Sequence, residues 1–229
     1  MTFFDPHPAA VLALLQDVTR EKVYIDDETF LIDRPDRADK LLDLPEVHEA
    51  SRIDDYMPYW AELWPAARML AKVLMKEPLP ADAVALEMGC GLGLAGVVAL
   101  WRGVEVVFSD YDASALRFAA ENARINGFTK FRTLQLDWRE PPADLKVSLV
   151  LGSDLTYEAR NVKPIVECLR TILVPGGIGL VTDQNRIPGE TFRANLTAAG
   201  FTYTTQPVKA GAPGAPREKG TLYRITRLA

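Results

Sequence analysis

Cysteine and histidine are scarce in this chain, with two of each among 229 residues. Cys90 and Cys168 stand far apart, with no C-x-x-C pair and no Cys/His cluster around them, which argues against a zinc site and gives no metal ligand set. Two such cysteines also provide no disulfide framework, so a reducing, cytoplasmic setting is expected. Long apolar runs are missing as well. The run from Ala9 to Leu15 is far short of the ~20 residues that cross a bilayer, and Met1–Asp5 carry no basic lead-in, so no membrane partner is expected. Positive charge is in deficit: 26 Lys and Arg face 31 Asp and Glu, a net charge of −5. That balance argues against nucleic acid as a partner. The 48% hydrophobic content is ordinary for a globular chain, and the length suits a single α/β domain with a modest N-terminal extension.

Short apolar strands alternate with amphipathic helices from about Ala83 to Phe201, the pattern of βαβ units and a parallel sheet. Strands are expected at Ala83–Met88, Glu105–Ser109, Thr133–Leu136, Val147–Gly152 and Ile178–Thr182. Between them, Val162, Ile165, Val166, Leu169, Ile172 and Leu173 recur at helical spacing. Pro164 is placed in the first turn of that helix, and Pro175-Gly176-Gly177 stop it. A further helix is expected over Gly189–Ala199, then two strands, Thr202–Val208 and Thr221–Thr226, joined without a helix and so antiparallel at a sheet edge. Upstream, Trp64–Met75 reads as a helix with Pro65 at its first position. Residues 1–55 contain a predicted helix (Pro8–Thr19), a hairpin around Tyr24–Ile32 turning at Asp26-Asp27, and an acidic, proline-punctuated stretch. The simplest division is an N-terminal cap, residues 1–55, on one catalytic domain, residues 56–229.

The chemistry concentrates at the strand tips. Val84-Ala85-Leu86-Glu87-Met88 runs into the glycine-rich turn Gly89-Cys90-Gly91-Leu92-Gly93, where missing side chains let a ligand approach the start of a helix near Leu94. About 20 residues on, Asp110 closes the next strand, beside Tyr111, where a carboxylate can bond both ribose hydroxyls. Gly91–Gly96 also fits G-x-G-x-x-G, so the glycines alone do not separate a dinucleotide from another nucleotide-like ligand. Glu87 can anchor the turn and reach a cationic ligand end. Asp137-Trp138 suit an adenine, the acid accepting from its amine and the ring packing on its face. The fourth tip, Ser153-Asp154-Leu155-Thr156-Tyr157, places an acid and a phenol three residues apart.

Tyr59-Trp60-Ala61-Glu62-Leu63-Trp64-Pro65, Leu86–Gly91, Ser109-Asp110, Asp137-Trp138 and Leu151–Tyr157 together resemble the seven-β-strand (class I) S-adenosylmethionine-dependent methyltransferases. More narrowly they resemble methyltransferase family 16, which holds protein lysine methyltransferases and bacterial nicotinamide N-methyltransferase-like relatives. The resemblance covers roughly residues 56–228. It implies a Rossmann-like doubly wound α/β fold with sheet order 3-2-1-4-5-7-6 and the seventh strand antiparallel. It also implies cofactor contacts at Trp64, the Gly89–Gly91 turn, Asp110, Trp138 and Ser153, with Asp154–Tyr157 at the methyl-transfer mouth.

The expected cofactor is S-adenosylmethionine, leaving as S-adenosylhomocysteine, and the expected reaction is N-methylation of a protein lysine. Asp154 would position the amine and Tyr157 would line its channel, with Trp60 and Glu62 on the substrate side, where their neighbours Tyr59 and Leu63 could equally face the pocket. A small amine or nicotinamide-like metabolite is the alternative acceptor. Nucleic-acid methylation would need the prolines of D-P-P-Y, which Asp154–Tyr157 lack. An NAD-dependent dehydrogenase would explain the glycines and Asp110 and leave the other two tips without a role. A non-catalytic scaffold would bind cofactor without turnover.

Overall fold

The structure, a computed structural model, describes residues 17–80, 82–185, 189–212, 214 and 216–228. Its centre is a seven-stranded sheet built from β3 (Val84–Met88), β4 (Glu105–Asp110), β5 (Phe131–Gln135), β6 (Val147–Ser153), β7 (Leu173–Asp183), β8 (Phe201–Ala210) and β9 (Glu218–Arg227). Their spatial order is β5-β4-β3-β6-β7-β9-β8. The first five run parallel, and β9 is antiparallel to both β7 and β8. This is the expected 3-2-1-4-5-7-6 arrangement, and its order reverses between β3 and β6, so both tips there open on the crevice where α/β sheets bind ligands.

Successive strand side chains point to opposite faces, and both faces are covered. Val106, Phe108, Leu149 and Leu151 join one core with helices α2 (Pro65–Leu74), α3 (Leu94–Trp101) and α4 (Ala113–Ile125). Val107, Val150 and Val181 join the other with α5 (Ala159–Ile172) and α6 (Gly189–Ala198). The antiparallel hairpin β1 (Val18–Ile25) and β2 (Glu28–Pro35) turns at Asp26-Asp27, as expected, and buries Val23, Ile25, Phe30 and Ile32 in the first of these cores. A helix α1 (Pro45–Asp54) and 3-10 turns at Ala38–Asp43 and Tyr59–Ala61 complete the chain's path to α2.

Several boundaries differ from expectation. The Pro8–Thr19 helix falls mostly outside the described residues, and Val18 and Thr19 belong to β1. The acidic stretch contains α1, of which only Val47 is buried, so it lacks the apolar stripe that makes a helix visible in sequence. Pro164 lies inside α5 and not in its first turn. With no N–H, it forfeits the bond to the Arg160 carbonyl one turn back. α5 ends at Ile172, ahead of Pro175-Gly176-Gly177, which sits inside β7 at a register shift between Val147↔Leu173 and Leu149↔Ile178. Gly176, at φ +75°, supplies the backbone that this irregularity needs.

Candidate active site

The turn from β3 to α3 requires its glycines. At Gly93, where α3 begins, φ is +77° and an added Cβ would lie 2.8 Å from the Cβ of Ala119 on α4. At Gly91, φ is +51° and a Cβ would press on the Trp60 carbonyl at 3.3 Å. The Gly91 N–H donates to Asp110 Oδ2 at 2.9 Å, and the Asp112 N–H donates to Asp110 Oδ1 at 3.0 Å. Burial nevertheless pushes the Asp110 carboxyl up to about 6, against the lowering effect of those two N–H donors. Glu87 is placed differently from expectation. It is buried outside the cavity lining, where its Oε2 accepts from the Gly96 N–H at 2.9 Å, and burial raises it to about 8. It anchors the start of α3 from behind the cavity border.

Over this turn lies a cavity of about 420 Å³, bordered by Gly89, Cys90, Gly91, Gly93, Asp110, Tyr111, Asp137, Trp138, Ser153, Asp154, Tyr157, Trp60, Glu62 and Trp64. All the sequence-derived site residues except Glu87 therefore meet around one space. Asp154 sits just past β6 at φ +55°, buried, with its N–H donated to the Thr182 carbonyl at 2.8 Å and its Oδ2 accepting from Gln184 Nε2 at 2.6 Å. The Tyr157 ring stands edge-on to Tyr59, centroids 5.1 Å apart, and Tyr59 stands edge-on to Trp64 at 6.1 Å. The Trp64 Nε1–H donates to the Tyr59 carbonyl at 2.8 Å, which closes this aromatic wall. Burial raises the Tyr157 phenol above its ordinary value, so it stays neutral.

Trp60 borders the cavity, yet its ring is turned to the core against Phe118, centroids 5.5 Å apart, with Nε1–H donated to Tyr56 Oη at 3.3 Å. The half-exposed aromatic at the mouth is its neighbour Tyr59, and Glu62 is exposed on the rim. Asp137 is likewise committed: its carboxylate accepts from the Arg139 N–H and Nε at 2.9 Å, and Arg139 reaches on to Asp54 at 2.6 Å. The same guanidinium lies 5.7 Å from the Tyr111 ring centre.

Residues 54–56 form a strap that the sequence reading missed. Tyr56 Oη donates to Asp112, while Arg160, on the first turn of α5, binds Asp55 at 3.1 Å and the Asp54 carbonyl at 3.1 Å. The cavity border carries Asp54, Asp55, Glu62, Asp110, Asp112, Asp137, Asp154 and Glu158 against only Arg139 and Arg160. Such an excess of carboxylates favours cationic ligands. Among the described residues no group of three His, Cys, Asp or Glu side chains is arranged to hold a metal, and no helix is long and apolar enough to cross a membrane.

Residues 59–196 match the model of a protein family described as lysine methyltransferase, and this span takes in every strand tip just described. The chain belongs to the lysine methyltransferase family. Relatives of this family member include the protein-lysine N-methyltransferase EFM3 of Chaetomium thermophilum, 29% identical over 70% of this chain and 53% of that protein. The histone-arginine methyltransferase METTL23 of Xenopus laevis is 30% identical over 66% of this chain and 68% of its own length. A ribosomal protein L11 methyltransferase from a Synechococcus strain is 30% identical over 62% of this chain and 48% of that protein. The chain thus spans about half the length of two of these three relatives. A putative methyltransferase of Bacillus halodurans superposes with a TM-score of 0.59 at 15% identity, over 70% of this chain and 99% of that one. A SAM-dependent methyltransferase of Methanosarcina mazei gives 0.55 at 15%, over 66% and 94%. The fold is that of the class I S-adenosylmethionine-dependent methyltransferases.

The residues fit that cofactor. Gly89 and Gly91 border the cavity without side chains, Asp110 brings a carboxylate to it from the second strand tip, and Trp138 borders the same space. The surplus of carboxylates suits a cofactor that carries a sulfonium and an ammonium.

Proposed function

We propose that the protein is an S-adenosylmethionine-dependent N-methyltransferase that modifies the side-chain amine of a protein lysine. The observation that carries this reading is the aromatic wall Tyr157–Tyr59–Trp64 bordering the same cavity as Asp154 and the glycine turn. The names of the three relatives above, which specify protein lysine, histone arginine and ribosomal protein L11, support a protein acceptor.

When bound, S-adenosylmethionine supplies a methyl group already activated on a sulfonium. The protein's own tasks are then to orient the acceptor and to exclude water. Gly89, Cys90 and Gly91 would receive the cofactor along the turn, Asp110 its ribose, and Trp138 its adenine. Asp137, held by Arg139, fixes the approach of its strand tip and offers its remaining lone pairs to the adenine amine. A lysine must arrive deprotonated, which costs roughly 4–5 kcal/mol at pH 7 from an ordinary pKa of ~10.4. Passage along the wall of Tyr157, Tyr59 and Trp64 strips water from the ammonium and lowers that cost by desolvation. Asp154, held by Gln184, then orients the neutral amine and balances the charge that develops on nitrogen as it is alkylated.

Incubation with methyl-labelled S-adenosylmethionine and cytosolic extract tests the assignment. Protease-sensitive, nuclease-resistant label is expected, and Asp154→Ala should cut it by about 100-fold or more while S-adenosylhomocysteine still binds. Label confined to small molecules would move the acceptor to an amine metabolite. Full turnover by Asp154→Ala would remove that residue from the mechanism.

A further inference from the structure

Among the described residues the outward edge of β2 has no strand beside it, yet its backbone groups are satisfied by two side chains, Asn122 of α4 and Asn126 at the cap just after it. Asn122 and Asn126 stand one helical turn apart, a rise of about 6 Å. Leu31 and Asp33, two residues apart in a strand, are separated by about 6.8 Å. The match lets two amides act as a surrogate strand. Asn126 Oδ1 accepts from the Leu31 N–H at 2.9 Å and its Nδ2 donates to the Leu31 carbonyl at 2.7 Å. Asn122 repeats the pair one step along, accepting from the Asp33 N–H at 2.7 Å and donating to the Asp33 carbonyl at 3.0 Å.

The symmetry ends with the second hydrogen of each amide. That of Asn126 returns to the Asn122 carbonyl of α4, at 2.7 Å. That of Asn122, which is fully buried, reaches the Leu92 carbonyl at 2.9 Å. Leu92 lies between Gly91 and Gly93, both at positive φ, where the backbone has many alternatives and little of its own to choose among them. Asp110 pins the Gly91 N–H on one side of Leu92, and Asn122 pins the Leu92 carbonyl itself.

We propose that Asn122 is a positioning residue for the cofactor turn, coupling the N-terminal hairpin to the backbone between Gly91 and Gly93. The proposal rests on the S-adenosylmethionine reading above. Asn122 holds the turn in the shape that receives the cofactor, so the hairpin is a strut of the binding site as well as a cover on the sheet.

The test compares Asn122→Ala with Asn126→Ala in the full chain, with S-adenosylhomocysteine as probe in titration calorimetry. Both variants lose the same kind of hairpin contact, and both should melt below the wild type. Only Asn122→Ala should bind the probe about tenfold more weakly, the equivalent of one hydrogen bond. Asn126→Ala should stay within about twofold of wild type. In turnover, Asn122→Ala should raise the KM for S-adenosylmethionine while leaving kcat at saturation nearly in place, a split that general destabilisation does not produce. Equal weakening by the two variants, or wild-type affinity in Asn122→Ala, would overturn the proposal. If Asn122→Ala does not fold, Asn122→Ser, which keeps one hydroxyl for the strand contact, is read by the same criterion. Wild-type protein that fails to bind the probe would overturn the cofactor reading and this one together. Binding by wild type with no change in the variant overturns this one alone.

Discussion

The two walls of the cavity are built by different physics. The wall of strand tips is held from within the backbone: glycines at positive φ, N–H groups of residues 91 and 112 on Asp110, and the Gly96 N–H on buried Glu87. The opposite wall, residues 54–64, is held by side chains reaching across it, Arg139 to Asp54, Arg160 to Asp55 and Tyr56 to Asp112. Backbone constraints in a packed layer resist salt and mutation of their neighbours, whereas partly exposed ion pairs are each worth about 1 kcal/mol or less and are screened. The difference assigns rigidity to the side that would hold a constant cofactor and adaptability to the side that would meet a variable acceptor.

The sharpest way to break this contrast is on the backbone wall. Gly93→Ala forces a Cβ into Ala119 at a positive φ and should cost about 2–4 kcal/mol, read as a lower melting temperature. A variant that melts like the wild type would remove the backbone argument. Next in size is a pH effect on the same wall. Glu87 has its folded pKa raised from 4.5 to about 8 by burial, so the folded state keeps a proton that the unfolded state gives up. The stability this contributes is complete below the unfolded value and is lost as pH rises through about 8. Glu87→Gln retains an oxygen for the Gly96 N–H and should flatten the fall in melting temperature between pH 4.5 and about pH 8. An unchanged slope would mean that Glu87 is ionised throughout. The smallest effect belongs to the strap. Arg160→Ala should shift stability by less than about 1 kcal/mol, and the difference should vanish in high salt. A large, salt-independent loss would show that the strap is as rigid as the tips.

Legibility in the sequence divides along the same line. The sheet, the turn and the tips were readable because strands alternate at a period of two and because glycine, aspartate and tryptophan mark tips locally. What escaped were contacts between residues distant along the chain. Nothing near Asn122 or Asn126 announces a hairpin 89 to 95 residues upstream. Arg139 neutralises Asp137 two positions away, a signal that was visible beside Trp138, while its second contact, Asp54, was not. Which of Tyr59 and Trp60 turns its ring to the mouth was not legible, because a 3-10 turn, unlike a strand, gives no periodicity from which to choose the facing side chain. Glu87 was placed at the right turn and given a ligand-side role, because its depth behind the glycines depends on how α3 leaves the strand.

A seven-stranded sheet with open margins is a template for fibrillar growth, and here each margin is spoiled. On one side β5 is only five residues long, with Arg132 exposed and paired to Glu105 on β4. On the other, the solvent-facing stretch Thr204-Thr205-Gln206-Pro207 of β8 is polar and includes a proline that has no N–H to offer another strand, with Lys209 just beyond. Copies of the chain at high concentration therefore meet blunted edges on this sheet.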